Sequence, residues 1–267
     1  MMKRFYAQLL LCTFAASGLC SPSLAVAGDG LHGAVAVGGA YKPDYEGADH
    51  QESTPLLAAE LQYKTYYVEA LGAGANINVS PYSAIEFGPT VSYGGGRDDD
   101  VDSDAVSRMR EIDDALEIGA FVKMPFDAVL MQDDTVSLNA EIATDVSDAH
   151  DGTVVKVGVG YGRPFSDRLD LDTSLQATYA TENYNQTYFG VDADNATRSG
   201  LAQYDAAAGL KDVGIKVKAH YRLSKRWGVL GVVGYDKLLG DAADSPVVDQ
   251  EGDNDQWIAG MGLSYRF

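Results

Sequence analysis

The sequence predicts an all-β fold, a transmembrane antiparallel up-and-down β-barrel over residues 28–267, and three observations carry that prediction. Apolar and polar residues alternate with a period of two along much of the chain, aromatic residues gather at the ends of the alternating segments, and short and long connections take turns between them. A strand points successive side chains to opposite faces, so such alternation builds one apolar and one polar or small face. A barrel wall in a bilayer needs that pairing, with girdles of aromatic residues where lipid meets water.

The first residues read differently. Lys3 and Arg4 precede an apolar stretch from Leu9 to Leu19, and Ala25-Val26-Ala27 forms a small-residue cleavage pattern, so residues 1–27 are expected to be a removed signal peptide. Leu19 stands directly before Cys20, where a lipid-anchoring signal carries a small residue. Cys12 and Cys20 both lie inside this segment, which leaves the remainder without a thiol, a disulfide or a Cys-based metal site. The formal charge is −19, and loss of Lys3 and Arg4 makes it more negative still. So acidic a chain repels phosphates, which excludes nucleic acid as a partner. After the signal no apolar run reaches the roughly 18 residues of a membrane helix, but a barrel strand shows lipid only alternate residues and escapes that criterion.

The segments follow in order. Alternation is expected over 54–63, 82–93, 115–124, 153–162 and 226–238, and is plain in Val136, Leu138, Ala140 and Ile142 against Ser137, Asn139 and Glu141. Leu169, Leu171, Leu175, Ala177 and Tyr179 oppose Asp170, Asp172, Ser174 and Gln176; Val213, Ile215, Val217, Ala219, Tyr221 and Leu223 oppose Gly214, Lys216, Lys218, His220 and Arg222. In the last segment Trp257, Ala259, Met261, Leu263, Tyr265 and Phe267 share a face, with Ile258 the one misfit opposite. Trp257, Tyr265 and Phe267 read as the assembly signal presented to the barrel-assembly machinery. A soluble sandwich also alternates, but gives no reason for Tyr41, Tyr63, Tyr93, Tyr161, Tyr221, Trp227, Tyr235 and Trp257 to stand near strand ends.

With the C-terminus in the periplasm, parity makes 94–114, 145–152, 182–212 and 239–256 outer loops, and 125–133, 163–167 and 223–226 periplasmic turns. The long acidic stretches, including Asp98-Asp99-Asp100, then share one side. Outer-membrane lipid and lipopolysaccharide become the barrel's surroundings. Simple segmentation counts eleven strands, whereas such a barrel needs an even number. Within 65–79 the apolar phase slips beside Gly72 and Gly74, which means a bulge or a tight turn. A turn gives twelve strands, the expectation adopted here; a bulge leaves the parity unsolved, with ten strands as the alternative.

Short strings punctuate this pattern: Tyr41-Lys42-Pro43-Asp44-Tyr45-Glu46-Gly47, Gly88-Pro89, Gly96-Arg97, Tyr188-Phe189-Gly190-Val191, Ser199-Gly200-Leu201 and Asp244-Ser245-Pro246. In their order and spacing the chain resembles the MipA/OmpV family of outer-membrane proteins over essentially its whole mature length. The resemblance implies a scaffold that joins a lytic transglycosylase to a murein polymerase, while other members are linked to osmotic adaptation, adhesion and antibiotic susceptibility. It carries over location and broad role, but no catalytic residue.

Candidate chemistry is sparse. The histidines are His32, His50, His150 and His220; His220 shares its face with Lys216, Lys218 and Arg222, which reads as a lumen group rather than a base at the outer rim, where an outer-membrane hydrolase would need a Ser–His pair. No catalytic, cofactor or metal residue is expected, and no cofactor. Two sites are. Asp170, Asp172, Lys216, Lys218, His220 and Arg222 should form a lumen charge cluster, with both aspartates meeting His220 and Arg222 near the periplasmic rim. Phe126, Val129, Leu130 and Met131 put apolar groups into a periplasmic turn and mark a candidate docking surface; the competing reading is that Phe126 continues the apolar face of 115–124 and the others dip into the bilayer interface. A narrow pore is the alternative to the scaffold, since inward charges of both signs can line a channel or plug it.

Overall fold

The computed structural model describes residues 30–267, so the expected signal peptide lies outside the described residues. Twelve antiparallel strands close into one barrel, each hydrogen-bonded to its sequence neighbours, with the last strand returning to the first. They are β1 (His32–Pro43), β2 (Gln51–Tyr63), β3 (Tyr66–Leu71), β4 (Gly74–Asn78), β5 (Glu86–Gly94), β6 (Ala115–Asp127), β7 (Thr135–Asp145), β8 (Thr153–Ser166), β9 (Leu169–Ala180), β10 (Gly209–Arg222), β11 (Trp227–Leu238) and β12 (Asp255–Arg266).

The phase slip is a turn. β3 and β4 form a hairpin around Gly72 and Ala73, and Gly72 takes φ +61, a conformation open to glycine at little cost. Both strands are short, so the wall is notched above them. Gly72 N–H donates to Leu57 O, which fixes the side to which Leu57 turns its backbone. Pro55, two residues away, turns the same way, beyond the top of β3. A residue that cannot donate thus sits where the strand has an edge.

Several boundaries differ from the expected ones. Pro125 and Phe126 belong to β6, which runs on to Asp127, and β8 extends to Ser166, so these turns shrink to 128–134 and 167–168. At the outer end, β10 begins at Gly209 through a bulge between Leu210 and Asp212. That extra residue breaks the two-residue period and aims Lys211 and Asp212 both inward. Periodicity could not extend the strand across such a break.

Closure depends on small residues. Phe267 exchanges backbone hydrogen bonds with Gly33, and its ring lies over that glycine. A Cβ on Gly38 would stand 1.9 Å from Met261 O of β12. Ile258 fits the inner face because Gly234 opposite leaves room; a Cβ there would meet Ile258 Cγ2 at 2.6 Å. Outward positions carry Val37, Leu57, Ile118, Val157, Leu175, Val233, Met261 and Leu263, all exposed to the surroundings. Tyr235 packs on Trp257 at the outer end and Trp227 on Tyr265 at the periplasmic end.

The lumen is partly apolar. Ala34, Ala36, Ala58, Leu230 and Val232 form a buried cluster inside the wall, joined by Leu71. Ion pairs cross the inner face beside it: Lys123 with Glu86 at 3.2 Å, Lys156 with Glu141 at 3.3 Å, and Lys218 with Asp172 at 3.8 Å. Charges withdrawn from water require such partners.

Candidate functional site

The long outer connections fold together into a cap over the barrel mouth. The connection 181–208 contains helices α1 (Glu182–Phe189) and α2 (Ala193–Ser199), and 239–254 contains α3 (Gly240–Ala243) and α4 (Pro246–Asp249). Tyr45, Ala105, Val106, Met109, Val191, Leu201 and Val247 make one core of the cap, and Tyr188, Phe189, Ala206, Leu238 and Val248 another. Most of the short strings noted in the sequence meet here. Ser245 Oγ donates to Phe189 O at 2.5 Å, Arg97 Nη1 donates to Tyr188 O at 3.3 Å, and the Arg97 guanidinium lies 5.8 Å from the Tyr45 ring centre. Burial lowers the Arg97 pKa to about 10, a sign of how fully the cap removes it from water. Gly47, at φ +97, lets Val248 approach, since a Cβ would meet Val248 Cγ2 at 2.6 Å. Gly88-Pro89 is the exception, lying in β5.

Beneath the cap lies a cavity of about 110 Å³ whose walls include Glu46, Glu117, Lys156, Tyr184, Lys211 and Asp236. The bulge in β10 brings Lys211 against Glu46, with Asp212 at 2.7 Å, and Tyr184 Oη donates to Glu46 at 2.8 Å. His150 is buried against Tyr184 and Tyr188. Its Nδ1 accepts from Gly152 N–H at 3.0 Å while Nε2 stands 3.3 Å from Glu117 Oε1. An accepting Nδ1 places the proton of the neutral ring on Nε2, toward the carboxylate. These contacts tie the connections 146–152 and 181–208 to the wall. The neighbours of His150 come from segments distant in the sequence.

Toward the periplasmic end Asp170, Asp172, Lys218, His220 and Arg222 lie on the inner face, with partners shifted by one step from the expected ones. Arg222 Nη1 stands 3.2 Å from Asp170 Oδ2, and Asp172 faces Lys218 rather than Arg222. His220 Nε2 lies 2.8 Å from Ser264 Oγ, and its Nδ1 is 4.0 Å from Asp170 Oδ2. The order Ser–His–Asp suggests a nucleophile and base, but Asp170 is engaged by Arg222 and too far to orient the ring. The cleft beside it, about 10 Å³, holds roughly one water molecule. His220 Nδ1 is buried without a hydrogen-bond partner, so the ring lacks the orienting acceptor that a nucleophile–base pair for acyl transfer needs. Lys216 lies farther up the same inner face, opposite Gly234. No group of three or more His, Cys, Asp or Glu among the described residues is arranged to hold a metal ion.

The apolar turn is held rigidly. Asp134, buried, accepts from the backbone N–H groups of Val129 at 2.9 Å, Leu130 at 3.1 Å and Met131 at 2.8 Å. A carboxylate inside three successive amides fixes the backbone and turns the side chains out. Leu130, at 72%, is the most exposed large apolar side chain of the described residues, with Val129 and Met131 about half exposed. Phe126 lies apart in β6, on the outward face.

Trp257, Tyr265 and Phe267 all lie on the outward face, Trp257 at the outer end and the other two at the periplasmic end.

The family model described as MltA-interacting protein MipA matches residues 35–267. Among curated relatives, the MltA-interacting protein of Escherichia coli (strain K12) is 27% identical over 132 residues, 49% of this chain and 50% of that one. Outer membrane protein Omp26La of Vibrio anguillarum is 29% identical over 147 residues, 49% of this chain and 53% of that one. OmpV of Vibrio cholerae is 32% identical over 98 residues, 37% of this chain and 36% of that one. The chain thus spans about half the length of the curated relatives it matches, or less. Among solved structures, an outer membrane channel from Pseudomonas putida F1 aligns with a TM-score of 0.46 at 10% identity, covering 90% of this chain and 96% of that one. The chain belongs to the MipA family and is an outer-membrane β-barrel.

Proposed function

We propose that this barrel is a scaffold that docks a murein-remodelling enzyme, a lytic transglycosylase first and a murein polymerase with it, at the periplasmic face of the outer membrane. The observation that carries the reading is the turn 128–134. Flexible loops lose entropy when a partner orders them; here the Asp134 carboxylate has already fixed the backbone, and Val129, Leu130 and Met131 stand out as a preformed apolar knob. A rigid apolar knob is what a protein partner's groove takes up. The name of the Escherichia coli relative, an MltA-interacting protein, supports a partner of this kind. The packed cap over the mouth and the apolar cluster within the lumen support a binding role over passive flow.

Changing Val129, Leu130 and Met131 together to serine tests the reading. The variant should reach the outer membrane at normal yield, and cross-linked pull-downs from native cells should recover much less transglycosylase. Unchanged recovery with a correctly folded barrel would remove this turn as the docking site and leave the bilayer-interface reading of its side chains.

A further inference from the structure

The barrel is electrically lopsided. Its outer connections are crowded with Asp and Glu, and only Arg97, Arg108, Arg110 and Arg198 among them are cationic. The opposite end reverses the sign on one arc of the rim. Arg168 lies in the turn after β8, Arg222 ends β10, Lys225 and Arg226 form the next turn, and Arg266 ends β12. These segments are adjacent in space: Arg222 N–H donates to Arg168 O, and Arg266 N–H donates to Arg226 O, each at 2.7 Å. A shallow cleft opens among them, lined by His220, Arg222, Lys225, Arg226, Ser264 and Arg266.

Direction matters as much as charge. Outward positions at this level hold Tyr221, Leu223, Trp227 and Phe267, all exposed apolar or aromatic groups of the girdle. Arg222 and Arg266 occupy the inner face of their strands, toward the periplasmic opening and away from hydrocarbon, while Arg226 stands in the turn beside the hydroxyl of the outward Tyr265. Within the arc Arg222 is answered by Asp170. Lys225 and Arg226 have no carboxylate within ion-pair distance among the described residues; the Arg226 guanidinium reaches only the Tyr265 hydroxyl, at 3.3 Å. Planar guanidinia spaced along a rim suit carboxylates, each able to form a forked pair.

We propose that this cationic arc binds murein itself, through the free carboxylates of its peptide stems, the dense fixed anions that face the periplasmic side of this membrane. The inference deepens the scaffold reading and rests on it for the orientation of the barrel. It gives the scaffold a grip on the polymer beside a knob for the enzyme, with Lys225 and Arg226 supplying the uncommitted charge.

The test is co-sedimentation of the purified full-length barrel, in detergent, with protein-free murein sacculi. The parent protein should sediment with sacculi at low salt and be released as salt rises, because exposed charges are screened. Lys225→Gln with Arg226→Gln should lower the bound fraction roughly fivefold, and the charge-keeping pair Lys225→Arg with Arg226→Lys should restore it. Sacculi stripped of their peptide stems by an amidase should bind little. The proposal is overturned if the parent stays in the supernatant, if the glutamine pair binds as the parent does, or if stem-free glycan binds equally well. Failure to bind sacculi together with retention by anionic phospholipid in mixed micelles would assign the arc to lipid and overturn it too. Enzyme recovery through the turn 128–134 is read separately, so either result stands without the other.

Discussion

Asp170 and Arg222 meet across β9 and β10 at 3.2 Å, with the aspartate side chain almost wholly buried and the guanidinium mostly so. The register that opposes Asp170 to His220 leaves Arg222 diagonal to Asp170 and aligns Asp172 with Lys218. A double-mutant cycle on Asp170→Asn and Arg222→Gln should therefore give a coupling of about 1 kcal/mol, whereas Asp172→Asn with Arg222→Gln should couple by less than about 0.5 kcal/mol. Urea unfolding in detergent, followed by heat-modifiable gel mobility, measures both. Stronger coupling in the second cycle would mean that the strands are displaced by one pair.

Closure of the wall makes a sharper prediction at adjacent residues. Gly38→Ala drives a methyl into the Met261 carbonyl of β12, while the Cβ of Gly39→Ala has Thr54 O as its nearest neighbour, at 4.0 Å. The first change should cut the yield of folded barrel severalfold and the second should not. Outer-membrane yields of the two variants decide it; equal yields would contradict the pairing of β1 with β12.

The cap has its own stability, separable from the barrel. Arg97→Met removes the donor to Tyr188 O and leaves that carbonyl buried without its partner, a loss of about 1–3 kcal/mol. Limited proteolysis should cleave the connections 95–114 and 181–208 faster in the variant while the strands remain protected. Unchanged cleavage would show that Arg97 does not hold these segments together.

Acid should loosen the same region. The Asn195 backbone N–H, and after it the Arg110 guanidinium, hold the Asp192 carboxyl below the usual carboxylate range. A depressed folded pKa contributes stability that is present above the unfolded value and lost as pH falls through the folded one. Protection of α2 from proteases should therefore decline below about pH 4, the unfolded carboxylate range. Asp192→Asn keeps an N-cap acceptor and should remove that part of the pH dependence. A variant with the parent's pH profile would place the acid sensitivity elsewhere.

Much of the wall was legible because lipid imposes a rule that each residue obeys on its own: strands 169–180 and 213–223 display it almost without exception. The rule is silent where neighbours decide. Ile258 is misplaced by its own character and correct only because Gly234 faces it. Lys211 becomes a cavity residue through a bulge that disrupts the period otherwise used to recognise the strand. The contacts of the cap are not written in any one segment, since Arg97, Tyr188 and Ser245 meet across long separations and lie in no periodic apolar pattern. The strings that resembled a family held that information in compressed form, for they mark the places where loop packs on loop.

The central claim is a non-conducting scaffold, with a cap packed over its mouth and the Leu230 and Val232 cluster in its lumen. Single-channel recording in planar bilayers tests it most directly. Purified protein, verified as folded by its heat-modifiable mobility, should produce no reproducible current steps above the lipid baseline at neutral pH. Stable openings of uniform size from the unmodified protein would contradict the account and establish a pore.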